Sequence, residues 1–456
     1  MKLRENARIA ILGGGPAGSM SGFFLKELAA RINLKLTVNI FEPRDFSRTG
    51  PPGCNMCAGV VSEELVQTLA AEGINLPEMV VQRGIDTYFL HTSGLEPVDI
   101  AIPDVGMRIA TVYRGGGPRL SPEGVQWSSF DGFLLELAKS KGVNHIPQRV
   151  TGLSWHKDRP RVSCKGHADE DYDLVIGAMG VNSASLKLFE ELGFSYQAPP
   201  VSKGYLSEIY LGVEKTRKYF GMGSMHIFLL EIPGLKFAAL IPKTENITVC
   251  LLGEDINREI VQQFFAAPEV RACFPPDWDG IGDVCRCMPK LNLGLAQNPY
   301  GNRVVMVGDC AISRLYKDGI GAAYITAKAA AVTAVFLGVH RDDFHNYYRP
   351  VVQRMDRDNH VGEMIFYITT FYQRLSLLRM GMVRMIAMEK RVSPQSRDMS
   401  RVLWDTFTGS APYWEIFLRC FHPRFVYRLV TSTLYSLPRY LRGRMKNLQE
   451  KKGQVA

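Results

Sequence analysis

The chain has 456 residues, 46% hydrophobic and 22% charged, which excludes a disordered or fibrous protein and predicts two or three domains. Its net charge of +9 is carried by one end: from Arg374 onward 16 Lys/Arg face 5 Asp/Glu, so the preceding residues are close to neutral. Nine cysteines are too sparse for a disulfide scaffold, and the polar Met1–Ala7 segment together with the lack of an unbroken apolar run of roughly 20 residues argues against a secretory leader or a spanning helix.

Ala7 to Leu12 is a short apolar run with the character of a strand buried on both faces. It leads into Gly13-Gly14-Gly15-Pro16-Ala17-Gly18 and a helix-compatible stretch to Ala30. In such a loop Gly13 permits the tight turn, Gly15 lets a pyrophosphate approach the backbone, and Gly18 lets helix and strand pack closely. Gly14 and Ala17 belong to the same cofactor-binding loop, where the helix start favours phosphate charge. A second strand, Leu36 to Phe41, ends at Glu42, a carboxylate placed to accept hydrogen bonds from an adenosine ribose, with Arg44 beside it. This is a Rossmann-type dinucleotide-binding unit.

About a dozen residues on, Gly50 to Gly59 contains Cys54 and Cys57. Three readings of the residues stand side by side: small buried fillers, a redox Cys-x-x-Cys pair, or a metal site completed by Cys285 and Cys287, whose Cys-x-Cys spacing suits zinc poorly. Asp173 to Ser183 is an apolar strand running into a Gly-rich turn, and residues 204–252 alternate apolar and polar in short runs that predict an antiparallel sheet. Gly221-Met-Gly223 lacks a strand-turn-helix setting and reads as a turn. His226, His340, His345, His360 and His422 show no paired spacing, so no metal ligands are expected.

Arg303 to Asp309 is a further apolar strand ending in a carboxylate suited to a ribityl hydroxyl. Gly319-Ile320-Gly321 then opens a small-residue helix whose N-terminus would stabilise negative charge on a reduced flavin ring. The tail from about Asp342 reads as helices mixing aromatic and basic residues, with Arg374, Arg379 and Arg384 five apart. Such helices suit either an anionic membrane surface or a lid packed on the substrate domain. Nothing in the pattern signals nucleic-acid binding.

Over about residues 7–340 these motifs, in this order, resemble the FAD-dependent oxidoreductases that include the geranylgeranyl (polyprenyl) reductases and the aromatic hydroxylases. The resemblance implies an α/β fold: a Rossmann-type FAD-binding domain, three-layered on a parallel sheet, interrupted by an antiparallel β-sheet substrate domain and followed by a C-terminal helical region. The expected boundaries are 1–185 and 291–340 for the FAD domain, 186–290 with a contribution from 76–110 for the substrate domain, and 341–456 for the tail. It implies FAD as cofactor, re-reduced by NAD(P)H or a ferredoxin-type donor without a second nucleotide fold. Cys57, followed by Ala-Gly, matches a cysteine of the polyprenyl reductases near flavin and substrate, which implies a proton-donating thiol. Three positions depart from the pattern: Met179 replaces an acid, Trp127 replaces an Arg before Phe130-Asp131, and Ile312 and Tyr316 stand where hydroxylases carry His and Pro. The leading expectation is a cytoplasmic, peripherally membrane-bound reductase of C=C bonds in an isoprenoid or other lipid. The alternatives are a monooxygenase acting on a hydrophobic substrate and a non-catalytic flavin-binding assembly factor.

Overall fold

The computed structural model describes residues 1–55, 58–117, 128–278, 280 and 285–453; Cys57 and Trp127 lie outside them. Strand β1, Ala7–Leu12, has Ile9, Ala10 and Ile11 fully buried, because helices cover one face of its sheet and strands the other. It is followed by α1, Pro16–Arg31, and β2, Leu36–Phe41. Strand β1 pairs in parallel with β2 and with Leu174–Gly177, at the centre of a six-stranded sheet. Only the edge strand Tyr300–Gly301 runs antiparallel. Helices α1, Phe130–Ser140 and Gly319–Val332 share a core with one face. The other face packs on the antiparallel strands Val150–His156 and Arg159–Cys164, completing three layers.

Gly319–Leu337 is, by length and composition alone, apolar enough to cross a membrane, which the sequence reading did not anticipate. Its alanines 322, 327, 330 and 331 are fully buried and the helix packs on α1, which is the behaviour of a core helix.

A second, seven-stranded sheet is built mainly from Tyr205–Tyr210, Ser224–Leu229, Leu235–Pro242 and Asn246–Gly253. Thr87–Thr92 and Leu95–Ala101 join it, and Thr87–Thr92 runs parallel to Ser224–Leu229, the one departure from an antiparallel arrangement. Gly221 to Gly223 is the turn before that strand.

The C-terminal region is built from helices: Arg341–Tyr347, Arg349–Arg374, Ser376–Glu389, Asp398–Thr408, Tyr413–Cys420 and Pro423–Gly453. It is docked on the second sheet and does not trail away from it. Trp404 is fully buried, stacks on Tyr88 at 4.2 Å, and donates its indole N–H to the Met107 carbonyl at 2.8 Å. The three evenly spaced arginines do not form one basic face, because each has a different neighbour. Arg379 is buried and bonded to the Gln373 carbonyl and Glu231, Arg384 lies over the Tyr435 ring, and Arg374 is exposed.

Candidate active site

A cleft of about 410 Å³ opens where the carboxyl end of the parallel sheet meets the inner face of the second sheet. Its position follows the general rule for open α/β sheets, in which ligands bind outside the carboxyl ends of the strands. One end is lined by the glycine loop and the other by Leu206, Ile227, Phe237 and Leu252.

The loop owes its shape to close backbone approaches. Gly13 has φ +105°, and a Cβ there would sit 2.6 Å from the Ala178 carbonyl oxygen. A Cβ on Gly18 would lie 1.8 Å from the Gly13 carbonyl oxygen, so α1 meets the turn at a distance only glycine permits. Gly15 differs: the one atom within 4 Å of its notional Cβ is Asn55 Nδ2, at 3.3 Å, which leaves the backbone accessible from the cleft. Gly15 is the N-cap of α1 and Pro16 the first residue of the helix, so the N–H groups of the first turn lack intrahelical acceptors and favour an anion.

Glu42 is buried, and both its oxygens are held by backbone: Oε2 accepts from Gly14 N–H and Oε1 from Arg44 N–H, each at 2.9 Å. A carboxylate offers about four lone-pair sites, so acceptor capacity remains on the cleft side. Arg44 also lines the cleft, with Nη1 3.9 Å from Glu42 Oε1.

Asp309 follows the strand Val304–Met306 and faces the cleft. Burial raises its carboxyl pKa, opposed by a hydrogen bond with Ser313 and the charge of Arg114. Gly308 has φ +61°, and its notional Cβ would lie 2.7 Å from Ala17 Cβ, so this strand end is pressed against α1. The helix Gly319–Val332 is capped by Asp318, in the left-handed region at φ 45°, whose Oδ1 accepts from Gly321 N–H at 2.9 Å.

The residues expected to bind the cofactor therefore divide in two. Gly13, Gly15, Ala17, Glu42, Arg44, Asp309, Gly319 and Ile320 line the cleft. Gly14, Gly18 and Gly321 stand behind it and act on their neighbours: Gly14 fixes Glu42, Gly18 seats α1, and the Gly321 N–H is taken by Asp318. Met179 lines the cleft and presents a thioether to it.

Sequence reasoning missed three side chains here. Arg114 lines the cleft, and its Nε donates to Asp131 Oδ1 at 2.9 Å. Asp131 is fully buried and also accepts from Asn55 Nδ2 at 2.5 Å, tying the cysteine-bearing loop to the nucleotide domain. Lys317 lines the cleft, donates to the carbonyls of Ala411 (2.8 Å) and Asp405 (3.2 Å), and lies 3.7 Å above the Tyr413 ring. Burial lowers its pKa to about 7, aided by the nearby charge of Arg314. Its position after Asp309 was visible, but its partners come from the tail, some 90 residues on. Cys250 also faces the cleft, where burial raises its pKa to about 12 and leaves an unreactive thiol.

A glycine cradle with a fixed carboxylate, a strand-end aspartate and a second helix start fit a dinucleotide carrying a flavin, and the three-layer domain with its appended sheet is a fold shared with FAD-binding Rossmann-type proteins. No protein-family model and no curated protein matches the sequence. Solved structures match in fold. A geranylgeranyl bacteriochlorophyll reductase-like protein from Thermoplasma acidophilum superimposes with a TM-score of 0.62 at 14% identity, covering 94% of this chain and 100% of its own. The halogenase PltM, as a variant in complex with FAD, gives 0.59 at 11% identity, covering 90% and 85%. A flavoprotein/dehydrogenase from Cytophaga hutchinsonii gives 0.57 at 15% identity, covering 89% and 93%.

Proposed function

We propose that the chain binds FAD in this cleft and reduces a C=C bond in an isoprenoid or other long apolar lipid. The observation that carries this reading is the continuity of the cleft from the glycine loop onto an apolar sheet face, including Leu206, Ile227, Phe237 and Leu252. Each CH₂ of a lipid buried against such a face gains about 0.8 kcal/mol.

Bound FAD, reduced by NAD(P)H or a ferredoxin-type donor, supplies the hydride. The chain supplies the rest. Gly13, Gly15 and Ala17 would hold the pyrophosphate, Glu42 the adenosine ribose, and Asp309 a ribityl hydroxyl. The helix start at Gly319 and Ile320 favours negative charge on the flavin. The Cys57 thiol donates the proton that completes saturation at the second carbon.

The same reading gives the C-terminal helices a membrane role. Tyr427, Val430, Leu434, Leu437, Leu441 and Met445 recur every three or four residues and are all exposed. They form a stripe distinct from the face that holds Phe425, Ser432 and Ser436, which are buried. Trp414, Leu418 and Phe421 on the neighbouring helix are exposed too. Exposed Arg442 flanks the stripe, a combination that suits an anionic bilayer.

The reductase reading is tested by anaerobic incubation of flavin-loaded protein with dithionite and an isoprenoid, analysed by mass spectrometry. Saturation of one double bond without oxygen supports it. Product formed only with oxygen, and carrying a new hydroxyl, would establish the monooxygenase instead. Membrane docking is tested by sedimentation with phosphatidylglycerol vesicles. The triple substitution Tyr427→Ser, Leu434→Ser, Leu441→Ser should abolish binding without lowering Tm, and undiminished binding by this variant would refute the assignment.

A further inference from the structure

His226 is not the isolated residue its sequence surroundings indicate. On the face of the second sheet opposite the cleft, His91 Nε2 and His226 Nδ1 lie 2.8 Å apart. Cys273 Sγ lies 3.3 Å from the latter and 3.8 Å from the former. The alternation of the strand explains the side: Met225 and Ile227 line the cleft, so His226 points the other way. His91 comes from the adjacent parallel strand, and Cys273 follows the short helix Pro268–Arg271. All three residues are buried, and the rings of Phe220 and Phe228 pack against the imidazoles.

We infer that His91, His226 and Cys273 form a buried, three-donor structural site for a soft, thiolate-preferring cation, Cu(I) or Zn(II). Three donor atoms with these separations lie on a circle whose centre is about 2.0 Å from each, close to metal–imidazole and slightly short of metal–thiolate bond lengths. The donor set excludes hard cations, because it offers two imidazole nitrogens and a sulfur with no carboxylate oxygen among them. Charge then ranks the two candidates. One thiolate and two neutral imidazoles cancel a monovalent ion, whereas a divalent ion leaves net charge in an apolar shell, at a cost in desolvation. The site would staple the segment after Pro268–Arg271 to the sheet, remote from the flavin, so its role is in stability and not in turnover.

The test uses the full-length protein purified without affinity metal, dialysed anaerobically against Cu(I) or, separately, Zn(II), and then analysed for bound metal. About one equivalent should be retained from one of the two, with a higher Tm on loading and loss of both effects in Cys273→Ser and in His91→Phe. Retention of Cu(I) in preference to Zn(II) identifies the monovalent ion, and the reverse identifies zinc. Because His91→Phe and Cys273→Ser alter different elements, a variant that misfolds leaves the other to decide. Failure to retain either metal would overturn the inference and leave a hydrogen-bonded trio. Equal retention by both variants would overturn it as well, placing the metal elsewhere. Neither result bears on lipid reduction, which the anaerobic assay reads independently.

Discussion

Substituting Gly18 by Ala is the sharpest perturbation of the nucleotide loop. The added methyl would stand 1.8 Å from the Gly13 carbonyl oxygen, whereas real contacts stay above 3.0 Å, so the start of α1 must withdraw by about 1.2 Å. No side-chain rotation relieves this, because the opposing atom is backbone. Overpacking of this kind costs about 1–3 kcal/mol of stability. The functional loss is larger in proportion, because the same displacement carries the first-turn N–H groups away from the pyrophosphate. Losing two hydrogen bonds to a charged group, at about 1.5 kcal/mol each, predicts a roughly 100-fold rise in the Kd for FAD. The assay is quenching of flavin fluorescence on titrating stripped protein. Gly84→Ala serves as the control, since a Cβ there meets nothing within 4 Å. If Gly18→Ala binds FAD within a few-fold of the parent, the phosphate-cradle reasoning is wrong.

Three further outcomes are expected. Arg114→Met should destabilise the protein by about 3 kcal/mol in urea unfolding, because it leaves the fully buried Asp131 carboxylate without its countercharge, held only by Asn55; adding Asp131→Asn should restore most of that loss, and additive losses would contradict the pairing. Lys317 has a folded pKa of about 7 against an ordinary 10.5, so between these values the unfolded chain binds a proton that the folded chain does not. Stability from this group therefore rises with pH across that window, by up to about 1.4 kcal/mol per pH unit. The stability difference between the parent and Lys317→Met should show that slope between pH 7.5 and 9.5, and a flat difference would refute the shift. Cys57→Ser should lower kcat for lipid saturation at least tenfold while leaving flavin binding intact; unchanged turnover would remove the thiol from the mechanism.

The parts of the site that sequence reasoning reached are those made by contiguous residues. Strand β1, the glycine loop, α1 and Glu42 form one local unit whose turn and packing requirements are written in Gly13, Gly15 and Gly18. What stayed hidden depends on long-range pairing. Arg114 meets Asp131 across residues 115–130, so an arginine sought next to Phe130 is not found there. Gly321 lies in the expected loop, but whether its N–H faces a ligand or its own cap depends on the left-handed turn at Asp318. His91, His226 and Cys273 come from three separate segments, so spacing along the chain carries no trace of their meeting. Arg379 looks like a surface charge in a basic tail, yet packing of its helix buries it. A lid packed on the substrate domain was one of the two readings the tail allowed, but its actual contact, Trp404 on Tyr88, joins positions more than 300 residues apart.

The central claim is that this cleft grips a flavin by its adenosine half. Fluorescence titration of stripped protein with FAD and, in parallel, with FMN tests it most directly, because FMN lacks the adenosine that Glu42 would hold and the pyrophosphate that the glycine loop would cradle. One FAD should bind per chain, and FMN should bind more weakly by at least about two orders of magnitude. Equal affinity for the two flavins, or no flavin bound at all, would contradict it.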